Sequence, residues 1–194
     1  MLLGTEGLPG LVCGIDEAGR GPLAGPVCAA AVILPAGWLP AGLNDSKKLT
    51  PAVRDRLYRE ITENACAWSV GWADEREIDE KNILQATFLA MRRALAGLQP
   101  RPDFALVDGN RDPLLGIPTR CEVKGDGRFA CIAAASVLAK VSRDRLAEEW
   151  DRRWPDYGFA AHKGYGTAAH TQAIRNYGPC PIHRKSFLRN ILRE

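Results

Sequence analysis

Apolar positions recur along the chain in two spacings, consecutive or alternating in some segments and three to four apart in others. Leu11 to Asp16 reads as a short buried strand, and Val27 to Leu34, eight apolar residues in a row, as a second strand rich in small and β-branched side chains. Between them Gly19, Gly21, Pro22 and Gly25 make a stiff, glycine-rich turn region, and Pro35 to Gly42 reads as loop. Thr50 followed by Pro51 marks a helix start, a capping hydroxyl and then a proline in the first turn. Val53, Leu57 and Ile61 follow at four-residue spacing. Trp68, Val70 and Trp72 alternate, which predicts a strand.

Ile83, Leu84, Thr87, Phe88, Met91, Leu95 and Leu98 form the clearest helical stripe, stopped by Pro100 and Pro102. Phe104 to Val107 reads as a strand buried on both faces and ending at Asp108, with Ile117 to Val123 as another. Ile132 to Trp150 reads as a long helix turning Val137, Leu138, Val141 and Leu146 inward. Thr167 caps a last helix that stops at Tyr177-Gly178-Pro179. This order predicts a single α/β domain with a mixed sheet. The segment from about residue 155 to residue 194 is more basic and loop-rich and reads as a small C-terminal appendage.

Composition narrows the picture. A chain of 194 residues with 46% apolar and 25% charged residues is ordinary globular usage, so wholesale disorder is excluded. The 26 Lys and Arg against 23 Asp and Glu leave a net charge of only +3. Any case for a nucleic-acid partner must therefore rest on where the charges sit. The eight-residue apolar run is far short of the roughly 20 residues a membrane helix needs. Residues 1–10 carry no Lys, Arg or long apolar stretch, so no secretory signal is visible. Cys13, Cys28, Cys66, Cys121, Cys131 and Cys180 are too far apart in sequence for zinc-type pairs and read as buried free thiols of a reducing cytoplasm.

The acids carry the candidate chemistry. Asp16 and Glu17 end the first strand and run into glycine. Asp108 ends a buried strand and precedes Gly109. Asp126 sits in Lys124-Gly125-Asp126-Gly127, just before the long helix. Carboxylates leaving central strands lie where open sheets form their sites. If these segments are neighbours, four carboxylates converge, and four anions stay ionised in a partly buried site only with cations. Oxygen ligands alone favour Mg²⁺ or Mn²⁺ over zinc. Taken singly, each such Asp is more often a turn residue or a helix cap; Asp45, Glu122 and Asp144 read that way, with Asp144 paired to Arg143 or Arg145. Other chemistries lack their motifs: there is no H-E-x-x-H, no G-x-S-x-G, no P-loop and no G-x-G-x-x-G. The three histidines, His162, His170 and His183, lie away from the acidic motifs.

Together the motifs resemble bacterial ribonuclease HII, the type 2 ribonuclease H family. They are G-I-D-E-A-G-R-G-P-L-A-G-P-V (14–27), N-D-S-K-K-L (44–49), L-V-D-G-N (106–110), K-G-D (124–126), A-A-A-S-V-L-A-K-V-S-R-D (133–144), H-K-G-Y-G-T (162–167) and P-I-H-R-K-S-F (181–187). The resemblance implies the ribonuclease H-like fold, a central mixed five-stranded sheet flanked by helices with a small helical C-terminal part. It implies Asp16, Glu17, Asp108 and Asp126 as catalytic metal ligands, with Asp16 bridging two Mn²⁺ or Mg²⁺ ions about 3.5–4 Å apart. The implied reaction is cleavage of the RNA strand of RNA–DNA hybrids, and incision 5′ of ribonucleotides embedded in duplex DNA, leaving 3′-hydroxyl and 5′-phosphate ends.

Selectivity for RNA must come from the ribose 2′-hydroxyl. Gly19, Arg20 and Gly21 resemble the family segment that reads it with backbone groups, since glycine lets the main chain approach closely. Tyr165 resembles the family tyrosine that packs on the sugar. Lys47, Ser136, Lys140, Lys163 and Arg184, with Lys48 and Lys185 beside them, are expected to hold phosphates. The expected protein is a cytoplasmic monomer, and a replication-clamp contact stays open. Ribonuclease HIII is disfavoured because only ten residues precede the first strand. A non-catalytic hybrid-binding protein is disfavoured because it would not set four acids against a polyanion.

Overall fold

The structure is a computed structural model that describes residues 2–192. Its centre is a mixed sheet of β1 (Val12–Ala18), β2 (Val27–Ile33), β3 (Ala67–Ala73), β4 (Phe104–Asp108) and β5 (Thr119–Glu122), in spatial order β3-β2-β1-β4-β5. The β1–β2 and β2–β3 pairs are antiparallel, whereas β1–β4 and β4–β5 are parallel. β2 is buried along its whole length, which is why its sequence shows no alternation.

The pleat sends alternate residues to two separate cores. Cys13, Ile15, Ala29, Ala31, Ala105 and Val107 face α3 (Ile83–Ala96), which supplies Ala86, Ala90, Met91, Ala94 and Leu95. Cys28, Ala30 and Val32 face α1 (Pro51–Asn64) and α4 (Ala130–Arg153), which supply Leu57, Ile61, Ala134, Val137, Leu138 and Val141. Close approach is enforced at two glycines. A Cβ at Gly14 would stand 2.2 Å from the backbone carbon of Cys131 on α4, and one at Gly71 would stand 2.3 Å from the Ala90 oxygen on α3. Contacts this short belong to backbone meeting backbone, so β1 and β3 lie directly against their helices.

Residues 155–192 pack on the far end of α4. Trp150 meets Tyr157 and Phe159, the latter from α5 (Phe159–His162), together with Ile174 of α6 (Ala168–Tyr177) and Leu188. Two features differ from the sequence expectation. A seven-residue helix, α2 (Glu75–Lys81), precedes α3; its one buried residue is Ile78, so it has no apolar stripe. It is held instead by a capping box, with Asp74 and Glu77 exchanging side chain-to-backbone bonds. Asn82, with φ of 71°, separates the two helices. The cysteines also divide: Cys13, Cys28 and Cys131 are buried, but Cys66 is exposed and Cys121 and Cys180 lie between. Among the described residues no helix is long and apolar enough to cross a membrane.

Candidate active site

The parallel register of β1 and β4 ends with Ile15 beside Val107. Asp16 and Asp108 are the next residues on each strand and share the α4 face with Gly14 and Leu106, while Glu17 follows Ile15 towards α3. Asp108 Oδ1 accepts the N–H of Gly125 at 2.7 Å and that of Asp126 at 3.4 Å. Those bonds tie the single turn Gly125–Gly127 to the end of β4 and carry Asp126 to the same place. Asp16 and Asp126 are both buried. Asp108 and Asp126 line an open cleft of about 780 Å³ with Asp45, Lys47, Lys48, Lys124 and Arg128. Glu17 and Asp108 line a second depression on the α3 side, with Arg20, Phe88 and Met91.

The four acids repel one another. Burial, then Glu17 and Asp108, hold the Asp16 carboxyl well above the usual carboxylate range. Burial also raises Glu17, with Asp108 adding to it and Arg20 and Lys47 opposing it. Burial, then Asp108 and Asp45, raise Asp126. Lys47 faces all of this: although its partial burial works the other way, Asp16, Asp126, Asp45 and Asp108 push its pKa up. Arg20 reaches Glu17 at 3.5 Å.

Among the described residues no group of three or more His, Cys, Asp or Glu side chains is already set around a point where a metal ion could sit. The donor chemistry nevertheless fits a hard cation. The converging groups are all carboxylates, Asp16 and Asp108 each spend Oδ1 on backbone N–H groups, and burial and mutual repulsion hold Asp16 and Asp126 towards their protonated forms, a cost that a bound cation would relieve.

Gly19, Arg20 and Gly21 follow β1 directly. Gly19 has φ of 94°, and a Cβ there would strike the Arg143 side chain at 2.1 Å. A Cβ on Gly21 would touch the Tyr165 ring at 3.5 Å, so the glycine segment and Tyr165 are neighbours. Leu23 N–H bonds Gly164 O at 2.8 Å, fastening the two loops. His170, which is fully buried, meets Tyr165 O through Nδ1 at 2.9 Å and His183 through Nε2 at 3.0 Å.

The remaining expected phosphate contacts are placed differently. Ser136 is buried, and its Oγ donates to Ser46 Oγ at 2.6 Å, so it supports the turn that carries Lys47. Lys140 pairs with Asp144 at 2.7 Å, replacing the expected Arg143 or Arg145 partner. Lys163 Nζ reaches Glu148 at 3.4 Å in a depression away from the acids. Arg184 is fully buried and donates to the carbonyls of Gly25, Arg20 and Gly19 at 2.8, 2.9 and 2.6 Å. All three nitrogens of its guanidinium are spent on the carbonyls of this loop.

Sequence reasoning missed three residues around this loop. Arg143, considered in the sequence only as a partner for Asp144, is buried. Its spacing from Ala139, Ala147 and Trp150 marks the buried face of α4, and that was the available signal. Asp79 of α2 accepts from Lys185 N, Ser186 N and Ser186 Oγ, anchoring the segment that carries Arg184. His170 has no comparable sequence signal.

The chain is similar to known proteins. A family model described as Ribonuclease HII matches residues 13–190. A curated "Ribonuclease HII" of Acidovorax sp. (strain JS42) is 58% identical over 179 residues, covering 92% of this chain and 86% of that protein. Among solved structures, the ribonuclease H2 of Pyrococcus horikoshii OT3 is similar with a TM-score of 0.79 at 27% identity, covering 93% of this chain and 96% of that one. The RNase HII of Archaeoglobus fulgidus, solved as a complex with PCNA, is similar with a TM-score of 0.76 at 25% identity, covering 90% and 94%. With its sheet order, its acidic strand ends and a match along nearly its whole length, the chain belongs to the ribonuclease HII family, nuclease hydrolases that cut the RNA strand of RNA–DNA hybrids.

Proposed function

We propose that this chain, besides cutting the RNA strand of hybrids, incises duplex DNA on the 5′ side of an embedded ribonucleotide and leaves 3′-hydroxyl and 5′-phosphate ends. The observation that carries this reading is the meeting of two unlike elements. Mutually repelling carboxylates, Asp16 buried and Asp108 half-buried, lie at the ends of β1 and β4, and within a few residues of Asp16 the chain turns into a glycine segment that neighbours Tyr165. Asp16, Glu17, Asp108 and Asp126 would hold Mg²⁺ or Mn²⁺, which when bound supplies an activated water and neutralises charge at the scissile phosphate.

The chain's own groups do the rest. Lys47 draws the phosphate backbone towards the acids and lowers their repulsion of it. Gly19, Arg20 and Gly21 bring main-chain groups against the ribose, where only RNA offers a 2′-hydroxyl to bond. Tyr165, partly exposed beside Gly21, packs its ring on the sugar of the adjoining nucleotide. Residues 155–192 serve this one catalytic unit by supporting the Tyr165 loop from behind.

Cleavage-site mapping on a DNA duplex with one ribonucleotide tests the reading. We expect a single nick 5′ of the ribonucleotide, lost in Asp16→Asn, Glu17→Gln, Asp108→Asn and Asp126→Asn. A nick on the 3′ side, or full activity in all four variants, would refute it.

A further inference from the structure

Two arginines are buried behind the glycine segment, Arg143 with 2% and Arg184 with 0% of its surface exposed. Each donates three hydrogen bonds, and every acceptor is a backbone carbonyl. Arg143 bonds Pro26 O at 3.2 Å, Lys163 O at 2.8 Å and Ala24 O at 3.0 Å. Arg184 bonds Gly25 O, Arg20 O and Gly19 O. Burying a guanidinium against neutral carbonyls is costly unless its nitrogens are bonded, and here the loops give each of the three nitrogens a carbonyl partner. The flat faces are covered as well, Arg143 by Trp150 at 5.8 Å and Arg184 by Phe187 at 5.1 Å.

These bonds fix the orientation of particular peptide planes. In a trans peptide the C=O and the N–H point in opposite directions. The Gly19 and Arg20 carbonyls point at Arg184, so the N–H groups of Arg20 and Gly21 point away from it. Arg143 adds a second constraint by holding Ala24 and Pro26 of this loop and Lys163 of the Tyr165 loop at once.

We infer that Arg184 and Arg143 are positioning residues for sugar recognition. Arg184 turns the Arg20 and Gly21 N–H groups outward as donors for a ribose 2′-oxygen, and Arg143 sets the distance between those donors and Tyr165. The inference rests on the proposed reading of Gly19–Gly21 as the segment that meets the ribose. It moves Arg184 from phosphate contact to control of selectivity, although the carbonyls it organises lie more than 150 residues away in sequence.

The test compares the intact chain with Arg184→Gln and Arg184→Lys in Ca²⁺. It reads Kd for a DNA duplex containing one ribonucleotide and for the same duplex made wholly of DNA, beside the unfolding temperature. The parent is expected to prefer the ribonucleotide duplex. Arg184→Gln is expected to lose about tenfold of that preference, the scale of one misplaced hydrogen bond. Arg184→Lys is expected to lose a similar factor because an ammonium lacks the planar fork. A merely structural role would reduce binding of both duplexes alike and leave the ratio unchanged, so an unchanged ratio in folded Arg184→Gln overturns the inference. No preference in the parent overturns instead the reading of Gly19–Gly21. Should Arg184→Gln fail to fold, amide exchange in the unaltered chain decides. Slowing at Arg20 and Gly21 by the ribonucleotide duplex and not by DNA supports the inference; equal exchange with both duplexes overturns it.

Discussion

Replacing Gly14 by alanine adds one methyl group, and the structure says where it must go. The new Cβ would stand 2.2 Å from the Cys131 backbone carbon, 2.4 Å from its oxygen and 2.4 Å from Ile132 N. Ordinary contact begins at 3.4 Å, so β1 and α4 must part by about 1.2 Å. Neither neighbour is a side chain that can swing aside. Overpacking of a closed core costs about 1–3 kcal/mol, and a backbone-to-backbone clash belongs at the upper end. For a chain of this length, about 3 kcal/mol lowers Tm by roughly 6–12 °C. The catalytic effect should be larger, because Asp16 lies two residues further along β1 and Asp126 is tied to the start of α4. A misplacement of about 1 Å at a reacting centre costs on the order of 100-fold in rate. Unfolding temperature and single-turnover cleavage of an RNA–DNA hybrid measure the two effects, with Gly127→Ala, whose Cβ would meet nothing within 4 Å, as the steric control for stability. Gly14→Ala with the parental Tm and rate would refute the claim that this glycine sets the strand-to-helix distance.

Other perturbations separate charge from packing. Asp108→Asn keeps an oxygen for Gly125 N–H but removes one of the repelling carboxylates, so hydrolysis should fall by at least about 100-fold while the unfolding midpoint in EDTA does not drop; a drop would give Asp108 a structural role. Tyr165→Ala, at a side chain 45% exposed, should change stability by less than about 1 kcal/mol yet slow incision at a single ribonucleotide, and equal rates would remove Tyr165 from the site. Burial pushes His170 down to about 4 from 6.5, so the unfolded chain binds the extra proton between those values and stability rises with pH there. That contribution is complete above pH 6.5 and lost on acidification towards 4. Urea unfolding across this range should show it in the parent and show less of it in His170→Gln, and matching pH profiles would disprove the assignment.

How much of this was legible depends on what each residue needs as a partner. The strands were readable because burial on both faces leaves an unbroken apolar run, as in β2, and the long helices because one buried face leaves a stripe, as in α3. α2 escaped because a single buried Ile78 makes no period and its stability comes from the Asp74–Glu77 cap. The four acids stood out by position, each closing an apolar strand or opening a helix beside glycine. The partner of Asp144 differs from the expected Arg143 or Arg145 because Asp144 has a cation on either side of it in sequence and another four residues back, and only the helical repeat favours the last.

Arg143 and Arg184 were the least legible of all, for a physical reason. An arginine that binds a carboxylate or a phosphate implies a second charged group, and sequence can be searched for one. An arginine that binds backbone carbonyls implies nothing about residue type, because every residue carries that acceptor. The Arg184 partners, Gly19, Arg20 and Gly25, lie at the other end of the chain and are marked only by glycines that let the loop curl around a guanidinium. The glycine segment therefore requires two explanations where sequence suggested one: openness towards the sugar on its outer side, and room for buried arginines on its inner side. Gly19 shows the second demand directly, since any side chain there would occupy the space of Arg143.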